Sequence, residues 1–156
     1  MAELKDRLQA DLTTAMKARE KTTVATLRMA LAAITNAEVA GDQAVQLSDD
    51  EVLKVLAREV KKRKEASTAF ADAGRAEQAQ QELDEAAVLT GYLPAQLSDD
   101  ELAALVAAAY DEVAAQVGAA PGMKQMGQVM KAANAKVAGR AEGGRVAAAV
   151  KAKLAG

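Results

Sequence analysis

One heptapeptide is written twice in this chain. Gln46-Leu47-Ser48-Asp49-Asp50-Glu51-Val52 recurs as Gln96-Leu97-Ser98-Asp99-Asp100-Glu101-Leu102, with only the last residue changed. Each copy has the form of a capping box: the Ser oxygen accepts from the amide three residues on, and that Glu reaches back to the Ser amide. Leu47 with Val52, and Leu97 with Leu102, stand where a hydrophobic staple would clamp the entering chain. The three acids in each first turn complement the positive end of the helix dipole. Two helix starts are therefore required, and strands are disfavoured at both places. The flanking residues do not match at the same offset, so the pattern reads as one helix start used twice and not as a duplicated unit.

Helical periodicity fills the rest. Leu4, Leu8, Leu12 and Met16 step by four and predict one face of a first helix. Thr22 or Thr23 is a candidate cap for a second, with Val24, Leu27, Leu31 and Ile34 inward. Gly41-Asp42-Gln43 reads as a turn. The first box opens a helix from Ser48 to about Ala73, lined by Val52, Leu56 and Val60, closed by Phe70 and stopped at Gly74. A fourth follows Arg75 with Ala79, Leu83 and Ala86 inward, ending at Gly91. Gly74 and Gly91 are both expected in the left-handed conformation that ends helices. Tyr92-Leu93-Pro94 then breaks the pattern, because proline restricts the residue before it as well as itself. Three further helices are expected beyond it. Their inner faces are Leu102, Leu105, Val106, Ala109 and Val113; then Met126, Val129, Met130, Ala133 and Val137; then Val146, Val150 and Leu154. The expectation is an all-α protein with about four helices in residues 1–92 and three in residues 95–156.

Composition sharpens this. Apolar residues make up 51% of the 156, yet many are alanine and only Phe70, Tyr92 and Tyr110 are aromatic. Alanine favours helix and packs thinly. Cys, His and Trp are absent. Disulfide, thiolate and imidazole chemistry are thereby excluded, and zinc loses its usual ligands. Asp49-Asp50-Glu51 and Asp99-Asp100-Glu101 are explained by helix-start electrostatics without a metal. The Met1-Ala2-Glu3-Leu4 start reads as amphipathic helix and not as a signal peptide. No uncharged stretch approaches the roughly 18 residues of a membrane span. A cytoplasmic protein with no membrane contact, cofactor or metal is expected.

Charge is unevenly placed. The whole chain is −2, while residues 118–156 hold Lys124, Lys131, Lys136, Arg140, Arg145, Lys151 and Lys153 against Glu142 alone, a net of +6. Local density sets the field a partner meets. Arg140 and Arg145 bracket a glycine-rich turn leading into the last helix, whose free amides near Gly143-Gly144 would favour a phosphate. No Walker-type spacing accompanies them. A second basic run is Arg58, Lys61, Lys62, Arg63 and Lys64. On a helix five adjacent cations spread around most of the circumference, and Glu59 and Glu65 stand among them as partners. Met123, Met126 and Met130 fit either a core stripe or a flexible docking patch. No nucleophile–base pair or ATP site is present.

Several motifs carry a family resemblance. They are Ala15-Met16-Lys17, Leu27-Arg28, Lys62-Arg63-Lys64-Glu65, Ala73-Gly74-Arg75 and Tyr92-Leu93-Pro94-Ala95-Gln96-Leu97-Ser98. Met126-Gly127-Gln128-Val129-Met130-Lys131 and Gly139-Arg140-Ala141-Glu142-Gly143 complete the set. Together they resemble the GatB/YqeY family, in particular its small YqeY-like proteins, over nearly the full length. The resemblance implies an N-terminal helical region and a C-terminal three-helix tail. The same tail ends the B subunit of the amidotransferase that converts Glu-tRNA(Gln) to Gln-tRNA(Gln), where the helical and tail regions touch tRNA. This chain has neither that enzyme's catalytic cradle nor its nucleophile. Glu142 stands where the family usually has Asp.

The leading expectation is a non-catalytic module for tRNA or another structured RNA. Lys124, Lys131, Lys136, Arg140 and Arg145 would meet phosphates, and Lys61, Lys62 and Lys64 would extend the track. Three aromatic residues are too few for base stacking along a single strand. A protein-interaction adaptor using the methionine face and the acidic fifth helix is the second expectation. An accessory role in glutamine-dependent amide transfer is the third.

Overall fold

The computed structural model describes residues 3–156; Met1 and Ala2 of the expected helical start lie outside the described residues. Seven α-helices form in order: α1 (Glu3–Ala18), α2 (Lys21–Glu38), α3 (Asp49–Asp72), α4 (Ala76–Thr90), α5 (Asp99–Val117), α6 (Met126–Val137) and α7 (Gly143–Ala155). A 3-10 turn, Met123–Gln125, precedes α6, and no strand occurs among the described residues. The helices sort into two compact units, Met1–Leu93 and Pro94–Gly156, each with its own core.

In the first unit, Leu8, Leu27, Ala30, Ile34, Val52, Leu56 and Leu89 are almost fully enclosed, joined by Val55, Val60 and Ala86. Each large aliphatic side chain removed from water contributes about 1.5–3 kcal/mol. Leu4 and Leu12 pack on this core but Met16 does not, being about half exposed. The cause is geometric. A step of four advances 400° around the helix, so an i+4 row drifts about 40° per step and has left the core after three. Ala15 is buried in its place. The same drift turns Leu83 outward on α4, while Ala79, Ala86 and Leu89 stay in.

Neither Thr22 nor Thr23 caps α2, whose cap position is Glu20, a few residues earlier. Arg19 takes a left-handed φ of 60°, letting the Arg19 and Glu20 amides close on the Met16 and Ala15 carbonyls. The chain thus re-enters a helix at Lys21 with Glu20 at the cap position and no side-chain cap bond.

The loop over residues 39–48 is held by Glu38, which is buried at the end of α2. Its carboxylate accepts from Lys5 Nζ on α1 and from the Leu47 amide. The Lys5 hydrogen bond first, and then the Leu47 amide, keep that carboxyl below its ordinary value of 4.5. Ser48 then caps α3 as a complete box: the Glu51 amide donates to Ser48 Oγ at 3.3 Å, and the Ser48 amide donates to Glu51 Oε2 at 2.8 Å. The Ser48 amide and then its hydroxyl hold the Glu51 carboxyl below its usual range.

Gly74 ends α3 at φ 75°, as expected of a left-handed terminator, but Gly91 does not. Its φ is −59°, and the chain continues through tight turns in which the Tyr92 and Leu93 amides donate to the Leu89 and Thr90 carbonyls. Tyr92 folds back on α1. Its hydroxyl donates to Asp11 Oδ2, and the Arg7 guanidinium stacks 4.8 Å from its ring centre. Burial, and then the Asp11 carboxylate, push its ionisation far up.

The second unit is built on Leu97, Leu102, Val106, Ala109 and Val113 against Val129, Ala133, Val137, Val146 and Val150. Leu105, Met126, Met130 and Leu154 pack on it half-buried. Methionines 126 and 130 are therefore core, and Met123 alone of the three is largely exposed, at 59%. Ser98 accepts from the Glu101 amide at 3.1 Å, but the reciprocal bond of a full box is not made. Leu97, one residue earlier, supplies the anchorage instead. Its side chain is buried and its amide donates to the Arg140 carbonyl at 2.7 Å.

Candidate nucleic-acid interface

The basic residues of the second unit fall into two groups. Arg140 and Arg145 are tied into the unit itself. Arg140 follows the left-handed pair Ala138 and Gly139, with φ 49° and 79°. It turns back so that Nε donates to the Val137 carbonyl at 3.0 Å and Nη2 to the Lys136 carbonyl at 2.8 Å. Carbonyls at a helix C-terminus lack intrahelical donors and carry the negative end of the dipole, so a guanidinium there satisfies both. Arg145 lies in the first turn of α7. Its Nη2 donates to the Leu97 carbonyl and to Asp99 Oδ1, both at 2.9 Å. Together the two arginines fasten the turn between α6 and α7 to the start of α5. Lys136 is also engaged, 3.0 Å from Glu112 on α5.

The second group is free. Lys124 in the 3-10 turn, Lys131 on α6 and Lys151 on α7 are exposed, and none forms an ion pair among the described residues. Lys153 lies over the Tyr110 ring at 5.1 Å. Gly143 and Gly144 are exposed, with nothing within 4 Å of where a Cβ would stand. They leave the start of α7 open, capped by no side chain.

In the first unit the basic run divides differently. Lys61, Lys62 and Lys64 are exposed, but Arg63 is turned inward and only 4% exposed. Its Nη1 lies 3.0 Å from Glu59 Oε2 and its Nε 3.4 Å from Glu85 Oε2 on α4, while Nη2 rests 3.6 Å from the Met29 sulfur on α2. The expected Glu59 partnership is made by Arg63; Glu65 forms no ion pair among the described residues. Arg58 and Lys54, outside the expected set, are exposed and equally unpaired there. Their signal was available: Lys54, Arg58 and Lys62 recur every four residues.

Other chemistry has little to build on. A shallow cavity of about 380 Å³ between α3 and α4 is lined by Lys64, Leu83, Ala86, Ala87, Thr90 and Gly91. It brings no acid, base and nucleophile together. No group of three or more potential metal ligands occurs among the described residues, and no helix there is long and apolar enough to cross a membrane.

These features define an all-helical, two-unit protein with exposed, unpaired cations on α3 and across α6 and α7 among the described residues. The family model described as Yqey-like protein matches residues 5–154, nearly the whole chain, and the chain belongs to that family. A comparison with curated proteins finds no match.

Proposed function

We propose that this protein is a non-catalytic RNA-binding module, with tRNA or another structured RNA as its partner and its second unit corresponding to a three-helix tail domain. The observation that carries the reading is the set Lys124, Lys131 and Lys151. These cations project from the second unit without carboxylate partners among the described residues. Unpaired surface ammonium groups meet phosphates and release their condensed counterions, which gives affinity through backbone and shape. Arg140 and Arg145 have a supporting part: through bonds of 2.8–3.0 Å they hold the turn that presents α7.

The test is fluorescence anisotropy with labelled bulk tRNA at several salt concentrations, beside a Lys124→Gln, Lys131→Gln, Lys151→Gln variant. Losing three phosphate contacts should weaken binding about tenfold or more and lower the slope of log affinity against log salt by about 2–3. Binding that ignores salt, or a variant equal to the parent, overturns this placement. The adaptor reading would rest on Met123 and the acidic α5, since Met126 and Met130 pack on the second core.

A further inference from the structure

Four cations on α3 form a single row. Around the helix axis, with 100° per residue, Arg58 lies about 40° from Lys54, Lys61 about 20° to the other side and Lys62 about 80° round. The four thus share an arc of about 100° and a length of about 12 Å. Arg63, at about 180°, is the one member of the basic run on the buried side, neutralised by Glu59 and Glu85. Lys64 is about 80° off on the opposite flank, where it borders the α3–α4 cavity. The inward turn of Arg63 is what makes a linear array from a run that would otherwise encircle the helix.

The row repels itself. Lys54 with Arg58, Arg58 with Lys61, and Arg58 with Lys62 are like charges three or four residues apart, an arrangement that destabilises a helix. None of the four makes an ion pair among the described residues. Acids stand at the two ends of the row: Glu51 bonds the Ser48 cap and also faces Lys54 across one turn, and Glu65 lies one turn beyond Lys61 and Lys62.

The geometry points to Lys54, Arg58, Lys61 and Lys62 as a second, separate contact surface for the sugar–phosphate backbone of double-helical RNA. This rests on the RNA-binding reading and adds a site on the first unit. The partner class follows from what surrounds the row. Ala57, exposed on its flank, is small, and the one aromatic residue of α3, Phe70, is half-buried and eight residues past the row, so no ring is offered to stack on splayed bases. Nor is there an exposed aromatic or leucine beside the row to enter a membrane, as an interfacial helix requires. Regular cations on a smooth helix match regular phosphates on a stiff strand.

The experiment uses the full chain and two labelled probes, a blunt RNA duplex and an unstructured single strand of equal length. The parent is compared with Lys54→Gln, Arg58→Gln, Lys61→Gln, Lys62→Gln, with the matching variant Lys54→Arg, Lys61→Arg, Lys62→Arg, and with the second-unit triple variant. Circular dichroism confirms helix content in each. The expected result is that the glutamine variant binds duplex about tenfold or more weakly and loses about 3–4 from the salt slope, while the arginine variant keeps parental affinity. Parental binding by the glutamine variant, with loss confined to the second-unit variant, overturns the α3 surface and leaves the RNA reading standing. Loss in the α3 variant alone supports this surface and removes the second-unit placement. Preference for the single strand overturns the duplex assignment, and a parent that binds neither probe overturns both proposals.

Discussion

A guanidinium cannot shed its charge at neutral pH, so Arg63, at 4% exposure, depends on its partners. Glu59 and Glu85 supply compensation from α3 and α4, and the Glu59 carbonyl takes a further hydrogen bond at 3.1 Å. Removing one member of such a set is costly because the remaining charges stay behind in a poorly solvated place. Arg63→Ala should therefore lower the stability of the first unit by about 3 kcal/mol in urea unfolding. Arg63→Lys should recover only part, since a point charge cannot address two carboxylates as a planar fork does. A variant that also carries Glu59→Gln and Glu85→Gln, with Met at position 63, should regain most of the loss. If Arg63→Ala unfolds at the parental urea concentration, the cluster contributes nothing to stability.

Among the helices, the two copies of the heptapeptide make an internal experiment. The first makes both reciprocal bonds and the second only one. Ser48→Ala should cost about 1–2 kcal/mol and Ser98→Ala about 0.5–1 kcal/mol, read from the separate unfolding of each unit. Equal losses would mean that the reciprocal Glu51 bond adds nothing. Such caps are legible in a sequence because donor and acceptor lie within one turn, and the same holds for the terminator Gly74 at φ 75°. Faces assigned by steps of four were less secure. Leu8 and Leu27 are buried as expected, but Met16 and Leu83 rotate outward. The roles of Arg63 and Arg145 were not legible, because their deciding partners lie far off in sequence, Glu85 on α4 and Leu97 in the segment before α5. A cation that will be buried looks locally like one that will be free.

At the scale of the molecule, neither unit is strongly charged as a whole. Met1–Leu93 holds thirteen basic and sixteen acidic residues, and Pro94–Gly156 seven and six. Beyond a Debye length, about 10 Å at 0.1 M salt, these sums are screened. Any polyanion is therefore met by local faces such as the α3 row, and binding should fade steeply with salt. Acid stability is also local. The folded pKa of Glu38 lies below its ordinary 4.5, so its contribution is complete above that value. It is lost as pH falls through the lower folded value. Thermal unfolding of the first unit should thus lose stability progressively below about pH 4.5, and Glu38→Gln should flatten that slope while lowering the plateau at neutral pH. Glu51, shifted the same way, leaves a residual acid dependence. A Glu38→Gln curve parallel to the parent would show that the Lys5–Glu38–Leu47 clasp is not a source of pH sensitivity.

The Tyr92–Asp11 bond and the Lys153–Tyr110 contact have an optical consequence. The chain has two tyrosines and no tryptophan, and each unit holds one of the two phenols in its own surroundings. Near-ultraviolet light is absorbed chiefly by those rings. A hydroxyl bonded to a carboxylate and a ring beneath an ammonium group differ in emission, so the protein carries an intrinsic reporter in each half, and a single Tyr→Phe change at either position silences one half while leaving the other readable.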